Sequence, residues 1–384
     1  MRAPDRADHW DPRDPAVQDD QLAAYDRMRQ RCPVAHSDYL QWSLFRHADV
    51  MQVLHDPDHF GNAVSAHVSI PNGMDPPEHT PWRALVEAYF LPERLAAFEP
   101  RARAIAREQV QALPAGELEW MDGFAHETAV RLLCAYMEWG EELHQPLRDW
   151  MRRSQAATLA GDRSALVAVA FEFDGHIRRQ LDLRRGDGEP RDDLTGRLMR
   201  ETIAGRPITD EEIVSILRNW TVGELATLAS CLGILPYYLA QHAPLQRQLR
   251  DEPQLLRAAI DEILRIHPPL IANRRIVRQP ACVAGRDFAP GERLTLMWAS
   301  ANRDDTVFGD PDECRLDRDP SLNLLYGAGV HVCPGAELSR LQLRVVMEEL
   351  LAGTRWLAPV AGRQPVNAHY PGSGYSQLPL AVER

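Results

Sequence analysis

The stretch YGAGVHVCPG, residues 326–335, places three glycines and a proline around a single cysteine, Cys333. An amphipathic helix is predicted from Ala336 onward, because apolar residues there recur three and four positions apart. A thiolate just before a helix is stabilised by backbone N–H groups and by the positive end of the helix dipole. The glycines leave the backbone free to pass close beneath a flat ligand. The stretch therefore predicts a thiolate that binds a ligand.

The remaining cysteines have no comparable neighbours. They form no C-x-x-C pair and show no spacing typical of a zinc site. In a reducing compartment such residues are most often small buried hydrophobes, so neither disulfides nor zinc is expected. They are Cys32, Cys134, Cys231, Cys282 and Cys314.

The same stretch resembles the cysteine loop of the cytochrome P450 superfamily, whose signature is F-x-x-G-x-H-x-C-x-G. Gly329, His331, Cys333 and Gly335 match the signature, while Tyr326 replaces the usual phenylalanine. The resemblance implies heme b, iron protoporphyrin IX, with Cys333 as the axial thiolate ligand of the iron.

The resemblance extends from about His36 to Pro379. It implies the fold of that family, which is mainly α with a small β region and has a long central helix crossing the distal face of the haem. We therefore expect a single domain over residues 1–384, with residues 1–35 as an N-terminal lead-in.

A long helix is predicted to begin at Thr209, where Thr209 and Glu212 form a capping-box pattern, and to run to about His242. At ~1.5 Å per residue it would be roughly 50 Å long, enough to cross a domain. Its middle is largely apolar, which indicates burial, and Pro236 is expected to bend it.

The other predicted elements are shorter. Apolar periodicity and turn residues predict helices at 83–89, 100–113, 124–137, 165–183 and 252–266, strands at 282–283 and 293–298, and a surface loop at 184–190.

The sequence also contains an E-x-x-R motif, formed by Glu262 and Arg265. A spacing of three puts both side chains on one helix face, where they can form an ion pair. Alone the motif is more often a solvated pair. The resemblance implies a structural brace beneath the cysteine loop, with Arg318 as its third member.

Four basic side chains are candidates for binding the haem propionates. His79 and Arg83 form an H-x-x-x-R motif and would lie on one helix face. The resemblance adds Arg275 and His331. Buried carboxylates need such partners, because an unpaired charge is costly to desolvate.

The central helix departs from the family pattern for oxygen activation, [AG]-G-x-[DE]-T. Residues 223–227 read Gly-Glu-Leu-Ala-Thr, so the alcohol is present as Thr227 but Ala226 stands where the acid belongs. Glu224 lies three residues before Thr227, and our hypothesis is that it supplies the missing carboxyl, since proton delivery needs a titratable group within reach. The alternative is that Glu224 pairs with an arginine and is structural.

The resemblance places the substrate over the haem, against the central helix and the segment before Asp75. The candidate lining is mostly apolar and predicts a small lipophilic or aromatic substrate. Each of these residues is individually more often plain core, or surface in the case of the histidine. The candidates are Val64, His67, Val68, Ile70, Val222, Ile271 and Ala272.

Charge and hydropathy limit the partners. The net charge of −12 argues against nucleic acid, which needs a dominant basic surface. No apolar run approaches the roughly 20 residues of a membrane span, and residues 1–5 lack the apolar region of a signal peptide. We expect a cytoplasmic protein with no membrane contact.

The chain has no flavin or iron–sulfur motif, so the resemblance implies electrons from a separate ferredoxin and ferredoxin reductase. Arg340 and Arg344 are candidates for a basic docking patch, with ordinary solvated arginines as the alternative.

The implied function is monooxygenation with O2, as hydroxylation, dealkylation or epoxidation of a small organic substrate. Three alternatives stay open: a peroxide-driven peroxygenase, a haem-thiolate gas sensor, and a haem-free redox or metal-binding protein.

Overall fold

Helices dominate the computed structural model, which describes residues 10–65, 67–186 and 191–384. The helices are α1 (Pro15–Asp19), α2 (Gln21–Arg31), α3 (His47–Leu54), α4 (His79–Glu87), α5 (Pro92–Ala112), α6 (His126–Met137), α7 (His144–Ala160), α8 (Arg163–Gly186), α9 (Leu194–Leu198), α10 (Asp210–Gln241), α11 (Ala243–Asp251), α12 (Leu256–Ile266), α13 (Trp298–Ala301), α14 (Asp305–Phe308) and α15 (Ala336–Gly353). A π-helical turn, Met121–Ala125, leads into α6.

Strands form a small β region, as predicted. They are β1 (Val34–Ser37), β2 (Gln41–Leu44), β3 (Phe60–Gly61), β4 (Gly116–Glu119), β5 (Thr202–Ile203), β6 (Arg206–Pro207), β7 (Asn273–Val277), β8 (Ala281–Val283), β9 (Arg286–Phe288), β10 (Arg293–Leu296), β11 (Trp356–Pro359), β12 (Val366–Asn367), β13 (Tyr375–Gln377) and β14 (Pro379–Glu383). The largest sheet has the order β1-β2-β10-β7-β3, and a second has the order β11-β14-β4. Three two-stranded ribbons complete the β region of the described chain.

The long central helix is confirmed as α10. Thr209 is its N-cap and forms the capping box with Glu212, so the first orphan N–H groups of the helix are satisfied. By length and composition alone α10 is apolar enough to cross a membrane, but 72% of its most apolar window is buried inside the protein. It packs against α6, α8, α12 and α15, which is the environment of a core helix.

Several predicted boundaries are corrected. Helix α5 begins at Pro92 rather than at residue 100, because proline fits the first turn of a helix and Pro100 is accommodated inside it. The helix predicted at 252–266 begins only at Leu256, after a 3-10 turn that contains Pro253. The strand predicted at 293–298 ends at Leu296, where the chain turns into α13.

The sequence patterns missed α7 and α11. The loop predicted at 184–190 is partly wrong, since residues 184–186 complete α8, while residues 187–190 lie outside the described part of the chain. Residues 1–9 of the predicted lead-in also lie outside it, and the rest of the lead-in forms α1, α2 and the start of β1.

Two packing arrangements position the site. Helix α15 runs along α5, and the largest hydrophobic cluster joins α10 to both of them. A second cluster packs the largest sheet against α3 and α13. The cysteine loop lies where these two clusters meet, because it connects the sheet side of the protein to α15.

Candidate active site

Cys333 lies between a 3-10 turn and the start of α15. Its backbone N–H donates to the Tyr326 carbonyl over 2.8 Å. Burial raises the pKa of the Cys333 thiol, while the Gly335 backbone N–H and the guanidinium groups of Arg83 and Arg340 lower it. A metal cation at the sulfur would add the attraction that makes the thiolate the stable form.

Two glycines of the cysteine loop serve different purposes. Gly329 has φ +70°, and a Cβ there would lie 2.1 Å from the Leu54 carbonyl oxygen, so no other residue fits. Gly335 has φ −89°, which any residue can adopt, and a Cβ there would meet Phe90 at 3.7 Å. The backbone freedom predicted for Gly335 is therefore not needed, and what this glycine leaves is room in the cavity that it lines.

The four predicted propionate ligands lie together around His331, which is the one of them that lines the cavity. His79 and Arg83 are one turn apart on α4, and Arg275 lies on β7. The rings of His79 and His331 have their centroids 4.5 Å apart. All but His331 are buried, and His331 is half-buried.

In this cluster Arg83 pairs with Glu87 over 2.7 Å, whereas Arg275 donates to the Arg274 carbonyl and has no carboxylate within ion-pair distance among the described residues. The Nε2 atoms of His79 and His331 are buried and have no hydrogen-bond partner among the described residues. Burial and the neighbouring cationic groups lower the pKa of His331 to about 3, and burial lowers the pKa of Arg275 to about 10. The carboxylate of Asp75 is 4.0 Å from His331 Nε2, beyond hydrogen-bond distance. The cluster therefore fits a ligand that brings carboxylates of its own.

The predicted brace is present beneath the cysteine loop. Arg265 Nε donates to Glu262 Oε2 over 2.8 Å, and Arg318 Nε donates to Glu262 Oε1 over 2.8 Å. Arg265 also donates to the carbonyls of Asn302 and Pro311, over 2.7 and 2.9 Å. These hydrogen bonds connect α12 to the segment that leads into the cysteine loop. Arg265 is only 1% exposed, so water does not compete for them.

A cavity of about 430 Å³ lies between α10, the 62–73 segment and the cysteine loop. It contains Cys333, Glu224 and Thr227, so the candidate ligand and the candidate proton donors share one space. Asn62 Oδ1 and Trp220 Nε1 on its wall are buried and have no partner among the described residues. The wall is therefore more polar than the sequence predicted.

Only two of the seven predicted substrate contacts, Val64 and His67, line this cavity. Val68 is 60% exposed on the surface, and its backbone carbonyl accepts a hydrogen bond from Ser215 Oγ. The others are taken up by the core: Ile70 and Val222 pack in the largest cluster, and Ile271 and Ala272 pack in the cluster beneath the N-terminal helices.

The two polar candidates on the central helix, Thr227 and Glu224, make different kinds of hydrogen bond. Thr227 Oγ1 donates to the Gly223 carbonyl over 2.6 Å, within α10. Glu224 Oε1 accepts from Gln342 Nε2 over 2.6 Å, so its partner is an amide and not an arginine. Burial raises the pKa of Glu224 to about 7, opposed by the Gln342 hydrogen bond. A carboxyl of this kind can hold a proton near neutral pH.

The predicted docking arginines are paired. Arg340 bonds to Asp261 and Glu337, over 3.0 and 2.7 Å. Arg344 bonds to Glu99 and Glu348, over 2.9 and 3.0 Å. Neither presents an uncompensated charge. Near them, Val330 and Val332 of the cysteine loop are each 39% exposed.

Asp75 and Gln342 are two site residues that the sequence patterns missed. A polar residue on the apolar face of α15, four residues after Leu338, was the available signal for Gln342. Nothing in the sequence places its partner, since the bond joins residues 118 positions apart.

Comparison with known proteins gives concordant matches. A family model described as "Cytochrome P450" matches residues 143–377. The chain is 29% identical to the erythromycin C-12 hydroxylase of Saccharopolyspora erythraea over 341 residues, covering 85% of each chain. It is 28% identical to the cyclomarin C epoxidase of Salinispora arenicola over 343 residues, covering 84% of this chain and 86% of the relative. A solved structure of a P450 EryK mutant in complex with erythromycin B superimposes with a TM-score of 0.86 at 26% identity, over 96% of this chain and 98% of the other.

Proposed function

Because this chain belongs to the cytochrome P450 family and is a monooxygenase, we propose that it inserts one oxygen atom of O2 into a small lipophilic or aromatic molecule. The reaction would be a hydroxylation, a dealkylation or an epoxidation. The observation that supports this most is the buried cluster of basic side chains beside Cys333, in which Arg275 has no carboxylate partner and two histidine nitrogens have no hydrogen-bond partner among the described residues. We also propose that residues 1–384 form one domain, which the 96% structural coverage supports.

Family membership implies a haem held by a cysteine thiolate. We assign the thiolate to Cys333, with heme b as the cofactor and with Gly335 leaving room for it. His79, Arg83, Arg275 and His331 would bind its propionates, since Arg275 lacks a carboxylate partner and the histidine nitrogens can donate to a carboxylate. When bound, the haem supplies the activation of dioxygen.

The chain's own residues would deliver the protons that oxygen cleavage consumes. Glu224, with its pKa raised to about 7 by burial, would donate a proton directly or through water. The Thr227 hydroxyl shares the cavity with it and would accept and pass on a hydrogen bond. Ala226 offers no acid, so Glu224 is the candidate on this helix.

The cavity wall supports a mainly lipophilic substrate that carries a polar group. Val64 and His67 remain the proposed contacts from the sequence, and the unpartnered Asn62 Oδ1 and Trp220 Nε1 offer an acceptor and a donor. The relatives include an erythromycin C-12 hydroxylase and a cyclomarin C epoxidase, which support oxygen insertion but do not define this substrate.

We propose a ferredoxin and its reductase as the electron source. Since Arg340 and Arg344 are paired, docking would rely on the exposed Val330 and Val332 beside Cys333, with the arginines as a rim. We propose a cytoplasmic location, because the six cysteines are scattered in the sequence and show none of the spacing of a disulfide framework.

The test is turnover of the haem-loaded protein with ferredoxin, reductase and a substrate found by screening for shifts of the haem spectrum. With ¹⁸O2, the product should gain one labelled oxygen atom. Turnover with hydrogen peroxide alone would instead establish a peroxygenase. Carbon monoxide binding without any turnover would favour a gas sensor, and absence of the red-shifted reduced carbon monoxide band would favour a haem-free protein.

The role of Glu224 has its own test. Replacing it by glutamine should lower the product formed per electron consumed by about tenfold, because the proton donor is lost. Unchanged coupling in Glu224→Gln would remove Glu224 from the proton route.

A further inference from the structure

A hydrogen bond joins the central helix to the helix that the cysteine loop opens. Gln342 on α15 donates from Nε2 to Glu224 Oε1 on α10. The Gln342 side chain is fully buried, and it is the hydrogen-bond partner of the Glu224 carboxyl among the described residues. The position of this carboxyl therefore depends on a residue outside the helix that carries it.

Gln342 uses only one end of its amide. Its Oε1 atom is buried and has no partner among the described residues. Gln246, an equally buried glutamine, uses both ends: Nε2 donates to the carbonyls of Leu239 and Leu357, and Oε1 accepts from the Leu357 N–H. A purely structural glutamine would be expected to look like Gln246, because an unsatisfied buried acceptor is costly.

The unused acceptor is explained if Glu224 changes its protonation state. A carboxylate accepts from the amide NH2, whereas a carboxylic acid donates its O–H to the amide oxygen. A half-turn of the amide exchanges these two ends in nearly the same place. The single side chain of Gln342 can thus bind both forms of Glu224.

We propose that Gln342 is the positioning residue of Glu224, which holds the carboxyl in one place before and after it gives up its proton. The inference rests on the proposed role of Glu224 as proton donor. Without this contact the Glu224 carboxyl would have no hydrogen bond to fix its orientation, and the glutamate side chain would sample other rotamers. The other groups that face Glu224 are Cys134 and Tyr136 of α6 and Cys333, none of which carries a positive charge.

The test compares variants of the haem-loaded enzyme by two measurements. The first is the infrared C=O stretch of the protonated Glu224 carboxyl, in the difference spectrum between mildly acidic and neutral pH, assigned by its absence in Glu224→Gln. The second is the product formed per electron consumed. The variants are Gln342→Met, which keeps the length but removes the amide, Gln342→Asn, which is too short to reach, and Gln342→Glu, which can share a proton with Glu224.

Gln180→Met is the matched control, because Gln180 is also buried and its Oε1 accepts a side-chain hydrogen bond, from Arg184. We expect Gln342→Met and Gln342→Asn to shift the carboxyl band to higher frequency and to lower coupling about tenfold. Gln342→Glu should keep most of the coupling of the wild-type enzyme, and Gln180→Met should change neither measurement.

An unshifted band in both Gln342→Met and Gln342→Asn would overturn the inference, and so would a shifted band with unchanged coupling. Loss of coupling that Gln342→Glu does not restore would also overturn it. If Glu224→Gln itself leaves coupling unchanged, the proposed proton route fails. The infrared band then still shows separately whether Gln342 holds the carboxyl.

Discussion

The two sides of the cavity are held in different ways. On the side of the cysteine loop, buried ion pairs and backbone hydrogen bonds fix the chain, as in the Glu262–Arg265 pair at 2.8 Å. On the opposite side, the wall contains the unpartnered Asn62 Oδ1 and Trp220 Nε1, and Glu224 is held by one hydrogen bond.

This difference suits two kinds of ligand. A cofactor of constant shape is best bound by a rigid, charge-matched site, since preorganised groups need no reordering when it binds. A substrate wall with unsatisfied polar atoms leaves hydrogen bonds for the substrate to make. The rigid side should therefore respond to mutation by loss of the cofactor or of the fold, and the other side by changes in coupling and affinity.

The largest effect is expected at Cys333. Replacing it by serine removes the proposed thiolate, so the red-shifted reduced carbon monoxide band and all measurable turnover should be lost. Cys231→Ala is the control, because Cys231 lines the same cavity and has no proposed role in iron binding. Retention of the band in Cys333→Ser, or its loss in Cys231→Ala, would contradict the assignment.

The next largest effect is expected at the brace. Arg265→Ala leaves Glu262 buried with half of its ion pairs, and should lower the free energy of unfolding by about 3–5 kcal/mol. Arg257→Ala breaks the exposed pair with Glu337 and should cost about 0.5 kcal/mol or less. Guanidinium unfolding of both variants measures these losses. Equal losses of unfolding free energy would show that the brace stabilises the fold no more than a surface ion pair does.

A smaller effect is expected from the titration of Glu224. Burial raises its pKa to about 7 in the folded protein, whereas an unfolded glutamate titrates near 4.3. Between these values the unfolded chain is ionised and the folded chain keeps its proton, so stability should fall as pH rises, by at most about 4 kcal/mol. Unfolding measured from pH 5 to 8 should show this slope in the wild type and a flatter one in Glu224→Gln. Identical slopes would mean that Glu224 is ionised throughout.

The smallest effect is expected at the apolar wall. Val64→Ala should weaken binding of a lipophilic ligand by about 1 kcal/mol, because it removes part of an apolar side chain that lines the cavity. Val68→Ala, at an exposed position outside the cavity, should leave affinity unchanged. Titration of the substrate-induced spectral shift compares them, and an equal response would place Val68 in the binding site after all.

The sequence predicted which residues lie together on the rigid side because they are specified locally, while their role as haem ligands stays a prediction. The H-x-x-x-R and E-x-x-R spacings put their members on one helix face before any tertiary contact forms. The sequence predicted backbone freedom at Gly329, and its φ of +70° requires it, although the close approach of the Leu54 carbonyl is a tertiary contact. The predicted α10 was likewise confirmed, since its cap and apolar length are local signals.

The substrate contacts on the other wall were predicted poorly, because an apolar residue near a cavity can either line the cavity or pack in the protein core. Ile70 and Ile271 have the right hydropathy to meet a substrate, but packing places both in the core at 2% and 1% exposure. Pro100 shows the same limit for elements, since it suggested a helix start and lies inside α5.

By itself, the sequence determined the cysteine loop, the basic residues near it, the central helix and the mainly helical class. Each of these depends on the spacing of a few residues or on the apolar length of one segment. Only the tertiary structure decided that Glu224 meets Gln342, that Arg340 and Arg344 are neutralised, and which apolar side chains reach the cavity. Those outcomes depend on which surfaces of distant segments come into contact, and side-chain hydropathy alone does not distinguish burial against protein from burial against a ligand.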